Sequence, residues 1–370
     1  MILFDVDGVI LSEERYFDAS SLTVWELINS PNYLGLDAGA FTPSPDEKTI
    51  RGVRKDVFDD DRVLHIVKNR GINANWDMVY LTFSVQLISF LGKLSESDKP
   101  AVHAFLSKDI DRPALISIGK KFSTAEIKPD YSQFAADFEQ TNVKKQKMLT
   151  HLNTIAEEKT GVATKIFSRN STLWDVCQRA FQEWYLGNDK LDDPPVQTGK
   201  RGFLTDEIPI VEPERLKHLF QSLNNQDITL GLGTGRPEIE TLEPLRALGI
   251  LSYFDTNRIV TAKDVLIAER QYPEHAPLSK PQPFTYVYGC LGREHSNQDV
   301  IDEPLPLNNG DELLIVGDSP ADFYAARSAG ARVAIVLTGL EGQNARAHFE
   351  ELGADYILND ITEVAGIVNK

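Results

Sequence analysis

The sequence predicts an α/β protein built on a doubly wound parallel sheet, with a large, mostly α-helical domain inserted after the first strand. Three observations predict it. Short apolar runs at residues 2–6, 227–232, 313–316 and 332–337 are β-branched or leucine-rich, and Gly, Asp or Thr follows each. Runs of that kind, without polar alternation, are strands covered on both faces, as in parallel sheets. Helical patterns at 212–224, 237–248, 320–329 and 345–352 lie between and after them. Strand–helix alternation calls for helices on both faces of one sheet. Between about 12 and 200, by contrast, the patterns at 15–30, 81–94, 131–158 and 173–185 are helical and strand candidates are few.

These elements divide the chain into a core made of 1–11 and 203–370 and a helical domain at 12–202. The rear boundary falls in the loop 188–202, rich in Asp, Pro and Gly. A chain of 370 residues has room for two such domains. With 42% apolar and 25% charged residues it has the balance of a soluble globular protein. The formal charge of −17 repels nucleic-acid phosphates and anionic lipid, so neither nucleic acid nor membrane is expected as a partner. An anionic small molecule can still bind where a metal or a few basic groups reverse the local field. Two cysteines, Cys177 and Cys290, make no disulfide framework and read as free thiols. The first seven residues have no basic region and meet acids at once, unlike a signal peptide, and no apolar run has spanning length, so a cytoplasmic location is expected.

Four short motifs carry chemistry. Asp5 and Asp7 end the first strand, and Gly8 follows. In open α/β sheets reactive groups collect at the carboxyl ends of strands, and side chains two apart share a face. The alternative is a solvated acidic loop. Gly231-Leu232-Gly233-Thr234-Gly235-Arg236 ends the second strand and opens a helix. Its glycines let backbone N–H groups approach an anion, and the Thr234 hydroxyl can donate to a phosphoryl oxygen. The alternative is a tight turn with Thr234 near an N-cap. A dinucleotide fingerprint fails, because Arg236 occupies its third glycine position. Asp318 ends the third strand and Asp322 lies in the first turn of the next helix, two carboxylates near one point as a hard cation requires. Capping accounts equally for Ser319 and Asp322 but not for Asp318. Lys280, before Pro281, is by itself an ordinary surface cation.

The order of these motifs is more specific than any one of them. Phe4-Asp5-Val6-Asp7-Gly8-Val9, Thr234, Lys280, and Gly317-Asp318-Ser319 with Asp322 resemble the four motifs of the haloacid dehalogenase superfamily, whose core is Rossmann-like. The helical segment resembles that superfamily's cap of the β-phosphoglucomutase and phosphoglycolate phosphatase type, enlarged. The resemblance implies a Mg2+-dependent phosphohydrolase acting on a small phosphorylated metabolite. Asp5 would be the nucleophile that forms an aspartyl-phosphate, and Asp7 the general acid and base. Thr234, Gly235, Arg236 and Lys280 would hold the phosphoryl group. Asp5, the Asp7 carbonyl and Asp318 would bind the metal, with Asp322 as ligand or support. Relatives that cleave carbon–halogen bonds lack the second acid of the first motif, so Asp7 favours phosphoryl chemistry.

Arg51, Arg54 and Lys55, around Gly52, resemble the substrate-specificity loop of such caps, or form a basic turn between helices. Lys144-Lys145-Gln146-Lys147 reads as a solvated helix face, and the histidines show no paired metal-ligand spacing. A sugar-phosphate mutase shares all four motifs, and a non-catalytic binding protein could keep the fold. The segment 292–310, between the third and fourth motifs, has no function assigned by sequence.

Overall fold

The computed structural model describes residues 1–72 and 74–368. It forms two compact units, one of Met1–Glu13 with Leu204–Lys370 and one of Glu14–Phe203.

The first unit holds a six-stranded sheet in the order β3-β2-β1-β4-β5-β6. The strands are β1 (Ile2–Phe4), β2 (Leu230–Gly233), β3 (Ile259–Val260), β4 (Leu314–Gly317), β5 (Arg332–Val336) and β6 (Tyr356–Leu358). Every neighbouring pair is parallel. The two-residue period of a strand sends alternate side chains to opposite faces. Ile2 and Phe4 of β1 therefore join one buried cluster with Leu216, Phe220 and Leu223 of the helix Pro213–Asn224. Leu3 joins the other, with Tyr286 and Val287 of the helix Phe284–Leu291. Phe4 meets the rings of Phe220 and Phe254 edge-on, at 5.6 and 6.2 Å between centroids. Such pairs add about 0.5–1.5 kcal/mol each to the area they bury. The register aligns Phe4 with Leu232 on one side and Val316 on the other, so β1, β2 and β4 end at one level.

β3 and β6 escaped the pattern reading because they are two and three residues long. The second expected strand begins at Leu230, not Asp227, since Asp227 takes a left-handed φ of 57° that belongs to a turn. The segment 292–310 supplies a capped helix, Asn297–Asp302, and buries Val300 and Leu307 in the core.

The second unit is helical, with no strand among the described residues. At its centre Asn75–Gly92 is buried all round from Asp77 to Leu91, which explains its weak amphipathic pattern. Glu14–Asn29, Lys147–Thr160 and Thr172–Leu186 pack on it. The expected helix at 131–158 is in fact two, Gln133–Phe138 and Lys147–Thr160. Arg70 breaks it by donating to the carbonyls of Phe138 (2.7 Å) and Val143 (3.1 Å) and to the Thr141 hydroxyl (2.9 Å). These carbonyls gain a charged donor in place of a helical N–H. Lys144, Lys145 and Gln146 consequently lie in an exposed turn rather than on a helix face.

The return segment carries Lys200, whose buried ammonium bonds Glu26 (2.6 Å) and Glu183 (2.9 Å). The Trp184 indole N–H also donates to Glu26, at 2.7 Å. Burial, with Glu183 adding to it, pushes the Glu26 carboxyl above its usual range despite Lys200. No single helix among the described residues is long and apolar enough to cross a membrane.

Candidate active site

The site is built where β1, β2 and β4 end. Asp5 directly follows β1, and its N–H donates to Val316 O of β4 at 2.8 Å, which carries the strand pairing one residue further. Its Oδ1 accepts the Val6 N–H at 2.8 Å, and its Oδ2 lies 2.8 Å from Lys280 Nζ. Lys280 also donates to Asp322 Oδ1 (2.7 Å) and to Gly233 O (3.2 Å). An ammonium has three protons, and these acceptors, with the Tyr286 hydroxyl oxygen further off at 3.4 Å, leave none of them free.

Asp318 and Asp322 frame the start of the helix Pro320–Ala329. Ser319 and Asp322 form a complete capping box. The capping reading of the sequence is therefore correct, but it is half of what Asp322 does. Its Oδ2 accepts the Ser319 hydroxyl at 2.6 Å, while Oδ1 accepts Lys280 and the Tyr286 hydroxyl, the latter at 2.6 Å. The fully buried Asp322 thus has both oxygens engaged by protein donors. Asp318 is the reverse case, with no hydrogen bond to its carboxylate among the described residues. A Cβ built on Gly8 or on Gly339 would fall on that carboxylate. Gly8 also has a φ of 68°, where a side chain is strained. The Thr338 hydroxyl donates to Gly8 O at 2.5 Å and ties the two glycine turns together.

One oxygen each of Asp5, Asp318 and Asp322 lies within 4.8 Å of the others. Burial pushes Asp5 up to about 7, with Lys280 opposing and Asp322 and Asp7 adding to the rise. Asp318 is raised well above the carboxylate range by burial and by Asp322, Asp5 and Glu13. Burial also acts against the charge of Asp322, but Lys280 and the three donors outweigh it and hold this carboxyl low. Lys280 is held above its ordinary range because Asp322 and Asp5 overcome its desolvation. Three acids thus share one ammonium, and the unbonded Asp318 carboxylate is the place where charge is missing. Carboxylate oxygens gathered in this way suit a hard divalent cation.

Asp7 belongs to a different set of contacts. Its Oδ1 accepts Arg236 Nε at 2.8 Å and lies 2.5 Å from Arg236 Nη2. Arg236 Nη1 donates to Glu207 Oε1 (2.8 Å) and Glu240 O (3.2 Å). Arg236 is 2% exposed, so it is no open phosphate ligand as the sequence suggested; its guanidinium is turned into the protein by these carboxylates. The glycines of this motif also differ from expectation. A Cβ on Gly233 would lie 2.6 Å from the Tyr286 ring of the helix Phe284–Leu291, and one on Gly231 would lie 2.6 Å from Leu3 of β1 and 2.5 Å from Arg258 O, so both are needed for close packing rather than for an anion. Gly235 alone is exposed in the turn. Thr234 Oγ1 accepts the Arg236 N–H at 3.1 Å, which leaves its own O–H without an acceptor among the described residues.

Residues 50–55, expected as a specificity loop or a turn, lie inside the helix Glu47–Val57. Arg51 is spent on Glu14 (3.0 Å), Asp18 (3.1 Å) and Glu47 (2.8 Å). Arg54 pairs with Asp61 (3.1 Å), and Lys55 lies 3.5 Å from Asp60. This sequence is basic because it balances its own domain's acids. Tyr286, Glu207 and Thr338 were missed. Tyr286 follows Lys280 by six residues, in the first turns of a helix, but nothing in the sequence shows that its hydroxyl meets Asp322.

The HAD-hydrolase-like family profile matches residues 278–364, which include Lys280, Asp318 and Asp322. A phosphoglycolate phosphatase from Nitrosospira multiformis is 32% identical over 138 residues. That match takes in 37% of this chain and 48% of the relative, so it spans about half the length of that curated protein. An X-ray structure of a structural-genomics target is 35% identical, covers 100% of this chain and 98% of its own, and superposes with a TM-score of 0.89. Given the parallel sheet, the acids at the ends of β1 and β4 with Lys280 between them, and these likenesses, the chain belongs to the haloacid dehalogenase-like hydrolase superfamily.

Proposed function

We propose that the protein is a Mg2+-dependent phosphohydrolase that acts on a small phosphorylated metabolite through a phosphoryl group carried on Asp5. The observation that carries this reading is the ion pair between buried Asp5 and Lys280 beside a carboxylate, Asp318, that takes no hydrogen bond or ion pair among the described residues and feels Lys280 only at a distance. Asp5, Asp318 and the backbone carbonyl of Asp7 would hold the cation, with Asp322 behind them. Once bound, the cation neutralises the charge that builds up as an anionic nucleophile meets a phosphate dianion.

The chain's own groups supply the remaining steps. Asp5 attacks phosphorus as the bond to the ester oxygen breaks, and Asp7 gives that oxygen its proton. Asp7, now ionised, takes a proton from the water that attacks the aspartyl-phosphate, and free phosphate leaves. Each turnover returns both acids to their starting state. The Thr234 hydroxyl and the Gly235 N–H donate to the phosphoryl oxygens, and Lys280 holds Asp5 in line. The similarity to a phosphoglycolate phosphatase makes 2-phosphoglycolate the first substrate to assay.

The deciding experiment measures phosphate release from an aryl phosphate and from a panel of phosphorylated metabolites, with Mg2+ and with excess chelator. Turnover that depends on Mg2+ supports the reading. Undiminished turnover in chelator would reject it, and isomerisation of sugar phosphates without phosphate release would replace it with a mutase.

A further inference from the structure

We propose that Arg236 and Glu207 are positioning residues for Asp7, fixing one of its oxygens so that the other is aimed for proton transfer. This inference rests on the acid–base role given to Asp7 above. Both guanidinium contacts converge on Oδ1, at 2.8 and 2.5 Å, and no hydrogen bond reaches Oδ2 among the described residues. The Asp7 side chain is 30% exposed, whereas those of Arg236 and Glu207 are each 1% exposed. Charge burial is therefore lopsided. Removing a guanidinium and a carboxylate from water costs several kcal/mol per ion before pairing recovers it. A surface pair with a partly exposed aspartate needs no such burial. The arrangement is understandable if the buried pair serves as a fixed post: Glu207 and the Glu240 carbonyl hold Nη1, and the rigid planar fork presents Nε and Nη2 to Asp7.

The benefit lies in geometry. Proton transfer requires heavy atoms within hydrogen-bond reach, and a misplacement of about 1 Å costs as much as 100-fold. With Oδ1 anchored, the carboxylate cannot turn freely about its Cβ–Cγ bond, so Oδ2 keeps one direction. Arg236→Lys retains the charge but loses the fork. Glu207→Gln retains the shape but weakens the hold on Arg236.

The test uses a series of aryl phosphates whose leaving phenols run from strongly to weakly acidic. A poor leaving group needs its proton in the transition state and a good one does not. For wild type, Arg236→Lys, Glu207→Gln and Asp7→Asn, the ratio of kcat/KM between the best and the poorest leaving group is compared. A ratio between substrates is independent of the folded fraction, so a stability defect does not imitate the effect. Asp7→Asn should widen the ratio by about 100-fold or more, the range of general acid catalysis. Arg236→Lys should widen it by roughly tenfold, Glu207→Gln should widen it less, and Arg236→Lys should add nothing in the Asp7→Asn background. A wild-type ratio in both Arg236→Lys and Glu207→Gln, with Asp7→Asn strongly affected, would overturn the positioning role alone. An unchanged ratio in Asp7→Asn would instead remove the acid role on which it rests.

Discussion

At the residue scale, Asp5 and Asp322 show how hydrogen-bond donors separate two buried aspartates of one site. Asp5 carries its charge against its surroundings, since burial raises it to about 7. Asp5→Asn should lower turnover by roughly 10⁴-fold or more, as when a nucleophile is lost. The same change should raise the melting temperature of the metal-free protein above neutral pH, because it removes a charge that the fold disfavours. An activity within tenfold of wild type would end the nucleophile assignment. Asp322 is the opposite, a carboxylate satisfied by Lys280, Tyr286 and Ser319. Asp322→Asn should leave Lys280 without its second anchor and lower activity strongly. Added Mg2+ should not restore it, whereas Asp318→Asn should be partly rescued by Mg2+. Titrating both variants with Mg2+ separates the roles, and rescue of Asp322→Asn would make Asp322 a direct ligand.

Among the elements, the helical unit depends on polar posts as well as apolar packing. Arg70 ends one helix at Phe138 and opens the turn before Lys147. Lys200 pins the return segment to Glu14–Asn29 and Thr172–Leu186 through Glu26 and Glu183. Removing one partner of a buried ion pair typically costs about 3–5 kcal/mol, because the remaining charge stays buried. Lys200→Met should therefore lower the unfolding free energy by about that amount, because Glu26 and Glu183 lose the ammonium they share and keep only their remaining donors. Chemical denaturation measures it, and a loss below about 1 kcal/mol, the value of a surface pair, would show that the cluster is wet. In the core unit the comparable constraint is close packing: Gly231 and Gly233 of β2 have no room for a Cβ beside Leu3 and Tyr286.

For the whole molecule, the acid cluster links stability to pH and to metal. Asp5 and Asp318 are raised in the folded state, so between pH 4 and about 7 the native protein binds more protons than the unfolded chain. Metal-free stability should then fall as pH rises through that window. A divalent cation held as proposed would bind the ionised carboxylates, so its stabilisation should grow in the same direction. The rise in melting temperature on adding Mg2+ should be small at pH 5 and clearly larger at pH 8. Equal rises at both would show that Mg2+ does not bind at these acids.

Much of this was written in the sequence, for a physical reason. Strands buried on both faces must be apolar throughout, and groups just past their ends must lie near one another, so four strands and the acids Asp5, Asp318 and Asp322 could be read from local pattern, whereas Lys280 joined them only through the order of the motifs and their resemblance to the family. The family's motifs were legible for the same reason. What tertiary structure decided is every role that depends on which charge meets which. Arg51 and Arg54 are identical in sequence terms to substrate ligands, yet Asp18, Glu14 and Asp61 claim them. Arg236 follows a phosphate-loop pattern, yet Glu207, 29 positions away, turns it toward Asp7. Tyr286 completes Asp322 across 36 positions. Periodicity fixes which face of an element is buried, but a long charged side chain takes the partner that folding brings within about 3 Å, and that distance is not encoded in any short stretch of the chain.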